Sequence, residues 1–281
     1  MKPVSAVELF QATRRNNCRE CGHATCLAFA TQVIVYQAAI DACPHLDGEK
    51  KSELKARIEA QQQQGIFLKR DLYQITAEDI RLRLAGHDFS AIAAGLGAEV
   101  LERDGVPCLR LRYLHRDCLL SKKQVFLDGQ PTGNLWDNVL LYNYAFMAGS
   151  EPLRGEWIPI DSIPGHIPKK PELEHGCEEN LARHFAGNLE RLRRAAASLG
   201  GVPVPEATHV DAAFTFLPLP RVPFYLLFWD HVPEEAFPAR TKVLFDRSVP
   251  GYLDIESLVF LAERFADAFI EADPASQADR R

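Results

Sequence analysis

Four of the seven cysteines in this 281-residue chain stand close together, at Cys18, Cys21, Cys26 and Cys43, in the order Cys-x2-Cys-x4-Cys-x16-Cys-Pro. Four thiolates are enough to hold a metal ion or a cluster. Structural zinc favours paired short hooks, whereas a three-cysteine run with a distant Cys-Pro recurs in iron–sulfur ligation. A zinc-stabilised interaction module therefore stays open beside an iron–sulfur centre. Among the neighbours, Gly22 suits a close backbone approach or a tight turn. His23 and His45 read as polar neighbours rather than proton couplers, and Arg19 can moderate the negative charge of a thiolate-ligated centre.

Spacing constrains the backbone as well. Were residues 24–43 one straight helix, a rise of 1.5 Å per residue would part Cys26 from Cys43 by about 25 Å, too far for one centre. The chain must reverse, and the expected place is Tyr36-Gln37-Ala38, with a second short helical segment bringing Cys43 back.

The stretches "NNCRECGHATCLAFA" and "DACPHL" resemble the small 4Fe-4S module of the corrinoid iron–sulfur protein large subunit and of the Rnf complex B subunit. The resemblance implies Cys18, Cys21, Cys26 and Cys43 as the ligands of one 4Fe-4S cluster, and it weights iron–sulfur over zinc. In that family a flexible residue such as glycine is common at the bend, and none stands here. A cluster with all four ligands exchanges single electrons without bonding substrate. The remaining chain is too short for the corrinoid-binding barrel of the corrinoid protein, so corrinoid is not implied.

These cysteines need a scaffold, and the chain divides into three parts: a cluster-binding module with its connector helix over 1–60, an α+β domain over 76–272 and a disordered tail over 273–281. "DGEKKSELKARIEAQQQQG" reads as a solvated connector helix. Two short helices follow, with Ile80, Leu84, Phe89 and Ile92 as their apolar positions. Strands joined by turns occupy the stretch from Val106 to Gly133. Asn134 caps a helix carrying Trp136, Val139, Leu140, Tyr144 and Met147. Another helix runs from Cys177 to Gly200-Gly201. "FYLLFW" reads as a central strand covered on both faces, followed by "KVLFD", and Asp254 caps a helix whose stripe is Leu258, Leu261, Ala262, Phe265 and Phe269. The expected fold class is α+β: a small helical iron–sulfur module plus a larger mixed domain with a mainly antiparallel sheet and packing helices.

Outside the cluster the chemistry-bearing residues are scattered. Cys108, His115 and Cys118, with His175 and Cys177, could form a second metal site, although Cys108 and Cys118 fall in apolar runs that read as core. Asp137, Asp161, His166, Asp230, His231 and Asp246 could do acid–base work but share no spacing with a mechanical logic. Trp229-Asp230, at the end of an apolar strand, is read as a turn or cap before a pocket edge. Neither a glycine-rich phosphate loop nor a Gly-x-Ser-x-Gly elbow nor a dinucleotide fingerprint is present.

Composition sets the remaining expectations. A net charge of −6 argues against nucleic acid as a partner. No apolar run reaches the roughly 18 residues of a membrane span, and the first residues lack the apolar centre of a secretory signal, which implies the cytoplasm and no membrane insertion. Reduced thiols there favour metal ligation over disulfides. "WDNVLLYNYAFMAG", "GEWIPIDSIPG", "LPLPRVPFYLLFWD" and "VLFDRSVPGYLDIESLVFL" resemble a domain of unknown function that accompanies this iron–sulfur module in anaerobic bacteria. The leading expectation is one-electron transfer or a redox accessory role, with a redox partner protein, and a partner or small molecule docked by the second domain. The alternatives are a cluster-dependent reductase and the zinc module.

Overall fold

The computed structural model describes residues 4, 6–23, 25–34, 38–46, 48–63, 80–231, 237–273 and 275. Two compact units divide the chain, Met1–Thr76 and Ala77–Arg281. The fold is α+β, with helices alone among the described residues of the first unit and helices with antiparallel sheets in the second. Among the described residues no helix is long and apolar enough to cross a membrane.

In the first unit α1 (Ala6–Ala12), α2 (Cys26–Ile34), a 3-10 turn (Ile40–Ala42) and α3 (Gly48–Gln63) surround a small core. Leu9, Phe29, Val33, Ile40, Leu54 and Ile58 meet there, together with Cys43. The expected connector is helical, but it is more than a solvated face. Leu54 and Ile58, one turn apart, point inward from an otherwise polar helix. Arg57 Nη1 reaches Glu8 Oε1 of α1 at 2.7 Å, and Lys55 Nζ reaches Asp41 Oδ2 at 2.5 Å.

The second unit opens on a helical stretch at 80–84 and on α4 (Phe89–Leu96), capped by Asp88, whose side chain accepts from Ser90 N–H. Five strands then form a meander: β1 (Glu99–Arg103), β2 (Val106–Tyr113), β3 (Arg116–Ser121), β4 (Val125–Leu127) and β5 (Gln130–Pro131). The single sheet expected is in fact two. The other, in the order β6-β10-β9-β8-β7, joins β6 (Trp157–Ile158), β7 (Val202–Pro203), β8 (Ala212–Leu219), β9 (Val222–Trp229) and β10 (Arg240–Asp246). All its pairings are antiparallel. β9 is central as expected, but only one of its faces is fully buried: Phe224, Leu226 and Phe228 are enclosed, while Tyr225, Leu227 and Trp229 are partly exposed. The β8–β9 register shifts between Phe216 and Leu219, which accommodates Pro218, a residue with no N–H for the ladder.

Helices cover this second sheet. They are α5 (Leu135–Met147), α6 (His166–Leu173), a π turn (Glu174–Glu178), α7 (Glu179–Phe185), α8 (Leu189–Ser198) and α9 (Ile255–Glu271). The helix expected from Cys177 to Gly201 is broken, because Gly187 takes φ +71° and its N–H donates to Asp230 Oδ1 at 2.6 Å. In α5 Met147 is exposed, and the buried run is Leu140 to Ala145. The stripe of α9 is buried as expected, and Phe265 and Phe269 pack ring against ring with Phe216 of β8 at 4.8 and 5.4 Å. Truncating such a phenylalanine to alanine costs about 3–5 kcal/mol.

Candidate metal centre

The cysteine loop begins where α1 ends. Thr13 Oγ1 donates to Phe10 O at 2.8 Å and accepts from Arg15 N at 3.3 Å, closing the helix. Arg15, Asn17, Arg19 and Gly22 then all take left-handed backbone conformations, φ 55°, 51°, 65° and 81°. Each such non-glycine residue costs about 1–2 kcal/mol, so the loop is wound tightly against local preference. Asn17 Oδ1 accepts from Cys26 N at 2.9 Å and thereby holds the loop to the first turn of α2. Cys18 and Cys21 are half-buried on the loop, Cys26 starts α2, and Cys26 and Cys43 are buried.

The chain does reverse after α2. That helix stops at Ile34, Ala38 N donates back to Gln32 O at 3.2 Å, and the 3-10 turn leads directly into Cys43. Tyr36 and Gln37, two of the three residues named for the bend, lie outside the described residues. His45 comes back to the loop, with Nε2 2.9 Å from Glu20 Oε1. One ligand atom each of Cys18, Glu20 and His45 lies within 4.8 Å of the others. The hydrogen bond from His45 holds the Glu20 carboxyl below its ordinary range. Lys51 of α3 donates from Nζ to Cys43 O at 3.3 Å, and His23 packs its ring 5.7 Å from that of Phe29. A Cβ at Gly22 would meet no protein atom within 4 Å, so its left-handed φ, not protein crowding, calls for glycine.

This donor set fits a thiolate-held group: the four thiols are all free of disulfides, and two of them are half-exposed on a wound loop. Glu20 is a neighbour that spacing did not single out. Its contact with His45 exists only because the chain folds back.

No three of the four loop cysteines bring their sulfur atoms within 4.8 Å of one another, and the candidates elsewhere do not converge either. Cys108, Cys118 and Cys177 are buried, and burial pushes the Cys118 thiol up to about 12 and the Cys177 thiol well above its ordinary range, which disfavours the thiolate a metal needs. Among the described residues the only group of three or more closely set metal-competent side chains is Cys18, Glu20 and His45. His175 is exposed, with Nδ1 2.8 Å from Pro171 O. Asp137 is buried between Tyr113 Oη, which donates at 2.8 Å, and Arg264 Nε at 3.1 Å. Asp161 pairs with Lys170 on the surface at 2.6 Å, and His166 Nδ1 lies 2.9 Å from Ile163 O. Asp230 is a turn residue, accepting from Gly187 N and from His231 N at 2.8 Å. Asp246 accepts from Arg154 N, Gly155 N, Ser248 N and Ser248 Oγ. These groups tie loops and helices together.

Comparison with known proteins divides along the same line. A family model described as "Putative Fe-S cluster" matches residues 15–45, and the model described as "Domain of unknown function (DUF3786)" matches residues 88–268. Among curated proteins, the acetyl-CoA decarbonylase/synthase complex subunit gamma of Methanocaldococcus jannaschii is 37% identical over 57 residues, 20% of this chain and 12% of that protein. The corrinoid/iron-sulfur protein large subunit of Moorella thermoacetica is 35% identical over 54 residues, 19% of this chain and 12% of that protein. A longer match, to subunit gamma 2 of the same complex in Methanosarcina thermophila, is 29% identical over 132 residues, covering 47% of this chain and 23% of that one. The chain thus spans a small part of the curated relatives it matches. No solved structure matches it.

Proposed function

The chain belongs to the family described as Domain of unknown function (DUF3786), and from that premise we propose that it is an electron-transfer or redox accessory protein. Residues 1–60 form its cluster-binding module and residues 76–272 the family domain. One 4Fe-4S cluster is held by Cys18, Cys21, Cys26 and Cys43. The observation that carries this reading is the iron–sulfur family match over 15–45, which encloses all four cysteines.

When bound, such a cluster takes up and releases one electron at a time. The chain's own residues prepare the site for that. Cys43 is buried in the small core with Phe29 and Val33, and Cys26 is buried as well, which limits the access of water to these two thiols. Cys18 and Cys21 are half-exposed, Cys21 packing against the edge of that core, and the exposed cations Arg14, Arg15 and Arg19 of the same loop offset thiolate charge. Leu27, one residue beyond Cys26, is 46% exposed and offers an apolar contact to a docking protein. Two of the relatives described above are named as subunits of a complex, which supports a protein as the redox partner. A reducing cytoplasm suits the free thiols.

A second reading, a reductase delivering those electrons to a small molecule, is favoured by a groove of about 860 Å³ in the second unit. Neither Asp230 nor His231, the pocket-edge residues expected from sequence, borders it.

Purification without oxygen tests the first reading. We expect about four iron and about four sulfide per chain, and visible absorbance that bleaches and returns with reduction and oxidation. Zinc without sulfide would establish the interaction module instead.

A further inference from the structure

Between the two sheets of Ala77–Arg281 lies a groove of about 860 Å³, within the roughly 300–1,000 Å³ of small-molecule sites. Its two long walls differ in chemistry. One is the outer face of β2 and its turn into β3. Leu109, Leu111 and Tyr113 turn into the core there, while the alternate Arg110 and Arg112 are exposed to the groove, with His115 at the turn. The facing wall is apolar: Trp157 of β6, Val202 of β7 and Leu217 of β8. Val202 and Leu217 are 60% and 56% exposed.

The walls are held in place. Leu114 and His115 form a two-residue turn with φ 46° and 64°, and Leu114 N donates to Pro218 O at 2.8 Å, pinning the turn to β8. The His115 ring lies flush on Gly200, where a Cβ would stand 2.8 Å from Nδ1, so glycine there lets the imidazole close one end. Asp246 takes the N–H groups of Arg154 and Gly155 and so fixes the segment leading to Trp157, whose ring rests 5.2 Å from that of Tyr225.

Charge then selects the occupant. Arg110 is neutralised by Asp117 at 2.9 Å and faces Glu99 across the β1–β2 ladder. Asp246 already accepts four hydrogen bonds. Arg112 donates to the His115 carbonyl, and among the described residues it has no carboxylate within ion-pair distance. Of the two arginines that line the groove it is the one outside an ion pair among the described residues, although Asp117 stands opposite it across the β2–β3 ladder and Glu99 and Asp117 also line the groove.

We infer that this groove binds a small organic anion, its anionic group on Arg112 and its aromatic or branched apolar body on Trp157, Val202 and Leu217. Guanidinium is suited to such a group because it offers paired donors in a planar fork. The inference stands on the second unit alone and is independent of the cluster.

Isothermal calorimetry on the full chain with 8-anilinonaphthalene-1-sulfonate as the probe tests it, because heat is read free of any visible absorbance from the first unit. The expected result is one saturable site per chain, with neutral 1-naphthol binding at least tenfold more weakly. Arg112→Ala and Leu217→Asp should each weaken the sulfonate at least tenfold, Arg112→Lys by less, and Arg183→Ala, an exposed arginine of α7 outside the groove, should leave it unchanged. Melting midpoints equal to the parent's would establish that the variants fold. No saturable heat, or an affinity indifferent to a folded Arg112→Ala, would overturn the inference.

Discussion

Lys51 sets its ammonium 3.3 Å from the carbonyl oxygen of Cys43 and 3.8 Å from Asp41. A cation there favours the reduced, more negative state of a centre on Cys43. Lys51→Met should therefore make the midpoint potential more negative by roughly 20–40 mV, about 0.5–1 kcal/mol for a one-electron couple. A potentiometric titration of the variant beside the parent reads this, and a shift in the positive direction would contradict it. At this scale the sequence was legible wherever chemistry depends on spacing. The Cys18 to Cys43 pattern and the core character of Cys108 and Cys118 could be read directly. The Glu20–His45 pair could not, because residues distant along the chain meet only after the reversal. Arg112 was equally hidden: like Arg110 it has a carboxylate opposite it on a neighbouring strand, and only the folded geometry shows that Asp117 pairs with Arg110 instead.

Helix ends carry the next set of consequences. Asn134 accepts from Trp136 N at 2.9 Å and Asp137 N at 3.3 Å, satisfying donors that α5 leaves unpaired. Asn134→Ala should destabilise Ala77–Arg281 by about 1 kcal/mol, read as a lower urea midpoint at unchanged slope. This cap and that of Asp254 on Ser257 N were legible because a capping residue directly precedes an apolar periodic run. The break at Gly187 was not, since glycine is tolerated inside helices and its stop depends on Asp230, which is remote in sequence. Most of the longer strands were legible, but β1, β6 and β7 were not, nor was the division into two sheets. β6 finds its partner β10 only across the intervening helices and strands, and short local patterns hold no record of such pairing.

Taken whole, the second unit should lose stability in acid through a group at its carboxyl end. Asp273, the first residue of the tail expected to be disordered, is fully buried and bonded to His184 Nε2 at 2.8 Å and to Arg191. Burial pushes its carboxyl up, but the hydrogen bonds of Arg191 and His184 outweigh burial and hold it at about 2. A depressed folded value stabilises above the unfolded value near pH 4, and that stability is lost as pH falls from about 4 to about 2. Asp273→Asn should cost about 2 kcal/mol at neutral pH and flatten the profile across that window, as measured by urea unfolding at a series of pH values. The whole chain thus pairs a wound cysteine loop with a family domain whose acid groups serve structure, and its central claim is one-electron chemistry on four cysteines. The most direct test is a redox titration of anaerobically purified protein followed by electron paramagnetic resonance. The account predicts one paramagnetic centre per chain on reduction, a one-electron slope, and loss of the signal in Cys43→Ser. A protein that reduces without such a signal, or that keeps it in Cys43→Ser, would contradict the account.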